Sequence, residues 1–138
     1  MSLSVKLATV GDLASLYKIE RQCFTLEAFS REQITRLLES PRTVSLVARI
    51  DSEVAGFIIG SIENIDETRA GHVYTLDVAV KYRRRGIGLT LLKELESILA
   101  KNGAKICYLE VRLDNVAARE LYRKQGYTEV APLTDYYY

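Results

Sequence analysis

Apolar and polar residues alternate through Leu3-Ser-Val-Lys-Leu-Ala8, which predicts a half-buried first strand. Thr9-Val-Gly-Asp12 then sets a hydroxyl three residues ahead of a carboxylate, the pattern of a capping box. Leu13, Leu16, Tyr17 and Glu20 follow near helical spacing and predict a helix over about 11–22. After a loop from Phe24 to Phe29, Ser30-Arg-Glu-Gln33 is a second capping box. It opens a helix with Ile34, Leu37 and Leu38 inward, and Pro41 stops it. Thr43–Ile50 is rich in β-formers, Asp51-Ser52 is a tight turn, and 54–63 runs back, so the pair reads as a hairpin.

The polar stretch 64–71 reads as a loop. A third long strand is expected over 73–80, with Leu76, Val78 and Val80 on one face. Leu91, Leu92, Leu95, Ile98 and Leu99 mark a helix over about 88–101 that ends at Gly103. A buried strand over 104–111 and a helix over 115–124 come next, and Tyr127–Ala131 begins a last strand. The order β-α-α-β-β-β-α-β-α-β predicts an α/β or α+β fold with helices on a mostly antiparallel sheet. No repeat or linker interrupts it, so one domain over 1–138 is expected.

The charge balance narrows the function classes. Nineteen basic residues against 18 acidic ones leave a net charge of +1. Binding to nucleic acid or membrane through bulk attraction needs a larger excess, so neither partner is expected. The longest apolar run, Val54–Gly60, is far short of the ~20 residues of a spanning helix. The first 13 residues lack a basic-then-apolar signature, which predicts a cytosolic protein. Cys23 and Cys107 lie far apart and His72 is the single histidine, so neither a disulfide nor a metal site is expected.

The segment Arg83-Arg84-Arg85-Gly86-Ile87-Gly88 joins a strand to a helix. Two glycines there let the backbone turn and approach a ligand closely. The free amides and dipole of the helix N-terminus favour an anion, and three arginines add donors suited to phosphate. The same residues could instead serve a plain turn with a solvated edge. No Gly-Lys-Ser/Thr follows, and position 91 is Leu, so neither the P-loop nor the dinucleotide fingerprint is present.

Arg83-x-x-Gly86-x-Gly88 resembles the acetyl-CoA motif of the GNAT N-acetyltransferases. The stretch from Leu109-Glu110-Val111-Arg112 through Asp114-Asn115, Ala118 and Leu121-Tyr122 to Gly126-Tyr127 is similar to RimI-type ribosomal-protein alanine acetyltransferases and Ard1-type N-terminal acetyltransferases, as is Cys23-Phe24. The resemblance implies a mixed sheet splayed in the middle, with acetyl-CoA as cosubstrate and its thioester arm in the opening. It implies a protein or peptide N-terminus as acceptor, with a ribosomal protein among the candidates. A small-molecule amine as acceptor, or an acetyl-CoA-binding domain without activity, are the alternatives.

Acetyl transfer to an amine requires a neutral nucleophile, a stabilised oxyanion and a proton for the departing thiolate. The resemblance assigns Glu110 as base and Tyr122 as acid, 12 residues apart. His72 matches a histidine of the Ard1 type and is the competing base. Each has a structural alternative: an ion pair of Glu110 with Arg112 or Arg119, core packing for Tyr122, a strand cap for His72. Cofactor contacts are expected from Val78, Ala79 and Val80, from Arg83, Arg84 and Arg85, and from Gly86, Ile87, Gly88, Leu89 and Thr90. Asn115, Ala118 and Tyr122 would contact the arm, Asn115 also capping its helix, and the Val78 amide would meet the oxyanion. Phe24, Glu27, Tyr136 and Tyr137 would line the peptide groove. Two departures from the RimI pattern stand out. Thr25-Leu26-Glu27-Ala28 replaces its usual Pro and Trp, and the sequence ends at Tyr138 before the further apolar strand that the family carries.

Overall fold

In the computed structural model, which describes residues 2–24, 28–111 and 114–128, five strands form one sheet in sequence order. They are β1 (Leu3–Leu7), β2 (Thr43–Ile50), β3 (Glu53–Ile65), β4 (Thr68–Val78) and β5 (Ile106–Leu109). The first three pairings are antiparallel and β4–β5 is parallel. Four α-helices complete the fold: α1 (Leu13–Cys23), α2 (Arg31–Glu39), α3 (Ile87–Lys101) and α4 (Val116–Lys124). The fold class and the order of these nine elements agree with the sequence reading.

Four details differ. The expected loop over 64–71 is instead a continuation of the β3–β4 hairpin, closed by Asp66 and Glu67 at φ +47° and +70°. Val80 is not on a strand face: it opens a 3-10 turn, Val80–Tyr82, and is 59% exposed. The strand expected over 104–111 is four residues long and begins with an exposed Ile106. Tyr127 and Thr128 are not in a strand, and 129–131 lie outside the described residues.

α1 and α2 cover one face of the sheet and α3 the other. α3 inserts Leu91, Leu92, Leu95 and Leu99, all essentially fully buried, over β3 and β4. Two glycines allow that approach: a Cβ on Gly60 would stand 2.8 Å from Leu95 and one on Gly71 2.7 Å from Leu99. Gly56 serves the sheet itself, since a Cβ there would stand 2.6 Å from the Asp77 carbonyl of the paired strand.

A bulge then decides which side chains share a face. Ile59 pairs with Thr75 but Gly60 pairs with Val73, so Tyr74 is an extra residue. Beyond it the alternation of β4 reverses. Val78 faces α3, as do Val73 and Gly71, whereas His72 joins Ser61 and Glu63 on the opposite face.

β4 and β5 stay together for only four residues, from Ala70↔Ile106 to Val73↔Leu109. Beyond that, among the described residues, Tyr74–Val78 pairs on the β3 side alone. The sheet is therefore open between the two parallel strands.

Candidate active site

Two groups of side chains flank this opening. On the α3 side a cavity of about 720 Å³ lies between the end of β4, the start of α3 and α4. Gly86 is the N-cap of α3 at φ +78°, and no side chain caps the helix. A glycine at the cap in place of a capping side chain costs only about 0.3 kcal/mol. The four buried leucines stabilise the helix by about 1.5–3 kcal/mol each, so α3 forms with its first amides left open. A Cβ on Gly86 would meet nothing within 4 Å, so the space beside the N-cap is open. Gly88 is different. It lies inside the helix, and a Cβ there would make ordinary contacts of 3.7 Å and 3.8 Å with Val78 and Leu121.

Arg84 lines the cavity in a left-handed conformation, φ +65°. Arg83 also lines it, and its Nε donates to the Val78 carbonyl at 3.1 Å. Arg85 lies over the Tyr82 ring. These features fit a bound pyrophosphate: donors without a side-chain cap, positive charge and unfilled space.

Of the remaining expected cofactor residues, Val78, Ile87, Leu89, Ala118 and Tyr122 line the cavity. Asn115 lines the cavity, and its side-chain oxygen accepts the Ala118 amide at 3.2 Å, which is the N-cap expected of it. The Ala79 amide is bound by the Ala55 carbonyl, the Val80 amide by Gln22, and the Thr90 hydroxyl by the Gly86 carbonyl. Because Ala79 takes the hydrogen bond to β3, Val78 turns its own amide away from that strand. Phe24 lines this same cavity. Glu27, Tyr136, Tyr137 and Arg112 lie outside the described residues.

Tyr122 is 9% exposed, with its ring edge against Tyr127. Burial, with the Asp77 carboxylate and Cys107 nearby, pushes its phenol well above the usual tyrosine range. It therefore keeps its proton throughout the neutral range.

The second group occupies the other face. The His72 ring stacks on Tyr108 and packs at a tilt against Tyr74, with ring centroids 4.4 Å and 4.3 Å away. Its Nδ1 lies 3.1 Å from Glu63 Oε2, and its Nε2 lies 3.7 Å from Glu110 Oε1. Glu110 follows β5 directly, and its side chain is 44% exposed. Its described partner is thus His72.

Sequence reading missed Glu63. It also missed a buried acidic pair under the cavity. Glu20 of α1 and Asp77 of β4 share the Thr75 hydroxyl, and Glu20 accepts the Phe29 amide at 2.9 Å. Asp77 Oδ2 is buried with no partner. Burial first, then the hydrogen bond and charge of Glu20, raise the Asp77 carboxyl well above the usual range. The folded chain thus keeps a proton that the unfolded chain gives up just above the ordinary aspartate pKa of ~3.9, so stability falls as pH rises through that window. Asp77→Asn is expected to match wild type near pH 4 and to melt higher near pH 8. Equal losses of Tm at both pH values would contradict this.

A larger hollow of about 810 Å³ lies along the outer edge of β5 and contains none of the expected site residues. Among the described residues no three His, Cys, Asp or Glu side chains gather as metal ligands, and no helix is long and apolar enough to cross a membrane.

The open mixed sheet with its helices is a fold shared by the crystal structure of PaiA N-acetyltransferase from Thermoplasma acidophilum in complex with coenzyme A, with a TM-score of 0.85 at 24% identity over 99% of this chain and 97% of that one. The sequence matches the acetyltransferase (GNAT) family over residues 13–127, and the chain belongs to that family. An N-alpha-acetyltransferase of Sulfurisphaera tokodaii is 32% identical over 142 residues, 96% of this chain and 84% of its own length. The N-alpha-acetyltransferase RimI of Mycobacterium tuberculosis is 33% identical over 143 residues, 98% of this chain and 84% of its own. The chain is an acetyl-transferring enzyme.

Gly86→Asp tests the anion cradle. Aspartate tolerates the left-handed conformation and is a favourable N-cap, so the fold should be retained. Its charge would occupy the space beside the open amides. Calorimetry should show acetyl-CoA affinity lowered at least about tenfold, or ~1.4 kcal/mol. Gly88→Ala should bind as wild type does. Unchanged affinity in folded Gly86→Asp would remove the cradle from the site.

Proposed function

We propose that this enzyme transfers the acetyl group of acetyl-CoA to the α-amine at the N-terminus of a protein or peptide. The observation that carries this reading is the meeting of His72 Nε2 and Glu110 at 3.7 Å beside the gap between β4 and β5. A proton-accepting pair stands on one face of the sheet there, with the cofactor-sized cavity on the other. The two N-alpha-acetyltransferase relatives support a protein acceptor.

Bound acetyl-CoA would supply the activated carbonyl. The α3 amides with Arg83, Arg84 and Arg85 would hold its phosphates, and Asn115 and Ala118 would flank its arm. The Val78 amide, turned away from β3, is suited to the charge that develops on the carbonyl oxygen. Glu110 and His72 act as one base unit for the amine. Tyr122 returns a proton to the departing sulfur, since its phenol is held protonated yet faces the cavity. A peptide α-amine has a pKa of ~8, against ~10.4 for lysine, so a modest base suffices for the former.

Acetyl-CoA turnover with a peptide panel that varies the first residues, run beside polyamines, aminoglycosides and free amino acids, tests the substrate class. Turnover confined to peptides is expected. Turnover confined to small amines would overturn the reading.

A further inference from the structure

Glu63 receives more donors than any other carboxylate described here. Its Oε2 accepts from the Tyr74 hydroxyl at 2.9 Å and the Ser61 hydroxyl at 3.1 Å, and lies 3.1 Å from His72 Nδ1. Its Oε1 accepts from the Tyr108 hydroxyl. These donors come from β3, β4 and β5, the three strands that meet where the sheet opens. The bulge at Tyr74 places His72 on the same face as Glu63. We propose that Glu63 is a positioning residue that holds His72 with its proton on Nδ1, leaving the Nε2 lone pair to act as proton acceptor beside Glu110.

The distances favour this tautomer, because Nδ1 is within hydrogen-bond reach of Glu63 at 3.1 Å whereas Nε2, at 3.7 Å from Glu110, is not. An ionised carboxylate only accepts hydrogen bonds, so a ring nitrogen bonded to it must carry hydrogen. Glu63 is ionised: burial opposes its charge, but the hydrogen bonds from Tyr108, Tyr74 and His72 outweigh it and hold the carboxyl down at about 2. Neutral imidazole has one N–H, and with that on Nδ1 the Nε2 position is a bare acceptor. The Tyr108 ring stacks on the imidazole and the Tyr74 ring packs against it at a tilt, which restrains the ring with Nε2 toward Glu110.

During transfer the amine nitrogen would bond to the acetyl carbon and one amine proton would pass to Nε2, while the thioester C–S bond breaks and the departing thiolate takes the Tyr122 proton. The resulting imidazolium lies between the Glu63 and Glu110 carboxylates and later gives its proton to solvent. Glu63, Glu110, Tyr74 and Tyr108 are the titratable groups facing the ring from β3, β4 and the end of β5.

This rests on the reading of His72 and Glu110 as the base, but its primary test needs no substrate. His72 is the single histidine of the chain, so long-range ¹⁵N–¹H correlation of uniformly labelled protein reports one ring. In mildly alkaline buffer, wild type should show the proton on Nδ1 and an unprotonated Nε2. A proton on Nε2 alone, or on both nitrogens, overturns the proposal, and this holds even if the variants do not fold. Glu63→Gln is the second arm. Its amide can turn an N–H toward Nδ1, so the Nδ1–H signature should weaken. kcat should fall at least about tenfold, within the ~10²–10⁴ that a general base supplies. The KM for acetyl-CoA should not change. The lower break on the acid side of the kcat/KM profile should move to lower pH, while the limb set by the substrate amine near ~8 stays in place. A folded Glu63→Gln variant with wild-type kcat and profile also overturns it. A wild-type enzyme that acetylates no peptide would instead sink the proposed function and leave the tautomer measurement to judge Glu63.

Discussion

Tyr122→Phe is expected to lower kcat by roughly 10²–10⁴-fold, the range typical of a general acid, without changing acetyl-CoA affinity. The ring contributes packing and the hydroxyl contributes the proton. Phenylalanine keeps the edge contact with Tyr127 and the wall of the cavity, so Tm should be preserved. Were Tyr122 only a core residue, the same substitution would leave kcat untouched. Single-turnover kinetics at saturating acetyl-CoA separates the two. The raised phenol pKa makes Tyr122 a weaker acid that holds its proton until the thiolate departs, and the tyrosinate left behind is costly in a buried site. It must therefore be reprotonated quickly after transfer.

His72→Ala and Glu110→Gln should each cost on the order of 10²-fold in kcat/KM, and the double variant should cost far less than the product. Both groups serve one proton transfer, and their 3.7 Å separation makes them a coupled unit. The losses should be larger at pH 6.5 than at pH 9. At the higher value most of a peptide α-amine of pKa ~8 is already neutral and needs no base. Full additivity would show two independent roles. A Glu110→Gln variant with near wild-type activity beside an inactive His72→Ala would place the proton on histidine alone.

The helices and most strands were legible because their signals are local. Ser30 and Gln33 cap each other's backbone as the sequence pattern requires, and the α3 leucines repeat on one stripe. The β3–β4 turn was not legible. A two-residue hairpin with both central φ positive usually announces itself with Asn-Gly or Asp-Gly, and here the pair is Asp66-Glu67. The polar distal end of that hairpin then passes for a loop.

The same limit hid Glu63. Its role depends on which face it shares with His72, and that is set by one bulge at Tyr74 that no alternation pattern reveals. Within the arginine–glycine motif the structure separates two glycines that look alike in the sequence. Gly86 needs its positive φ and its empty surroundings, whereas Gly88 is an ordinary helical residue with room for a methyl group. The Glu20–Asp77 pair joins residues 57 positions apart and is visible only once α1 lies on β4.

The central claim is the choice of amine. A synthetic peptide with a free α-amine and one internal lysine, incubated with the enzyme and acetyl-CoA and fragmented by tandem mass spectrometry, reports that choice in a single spectrum series. The account expects the added 42 Da (the mass of an acetyl group less one proton, about 42 by composition) on the first residue, with an α-amine of pKa ~8 preferred over a lysine of ~10.4. Acetyl groups found mainly on the lysine side chain would contradict it.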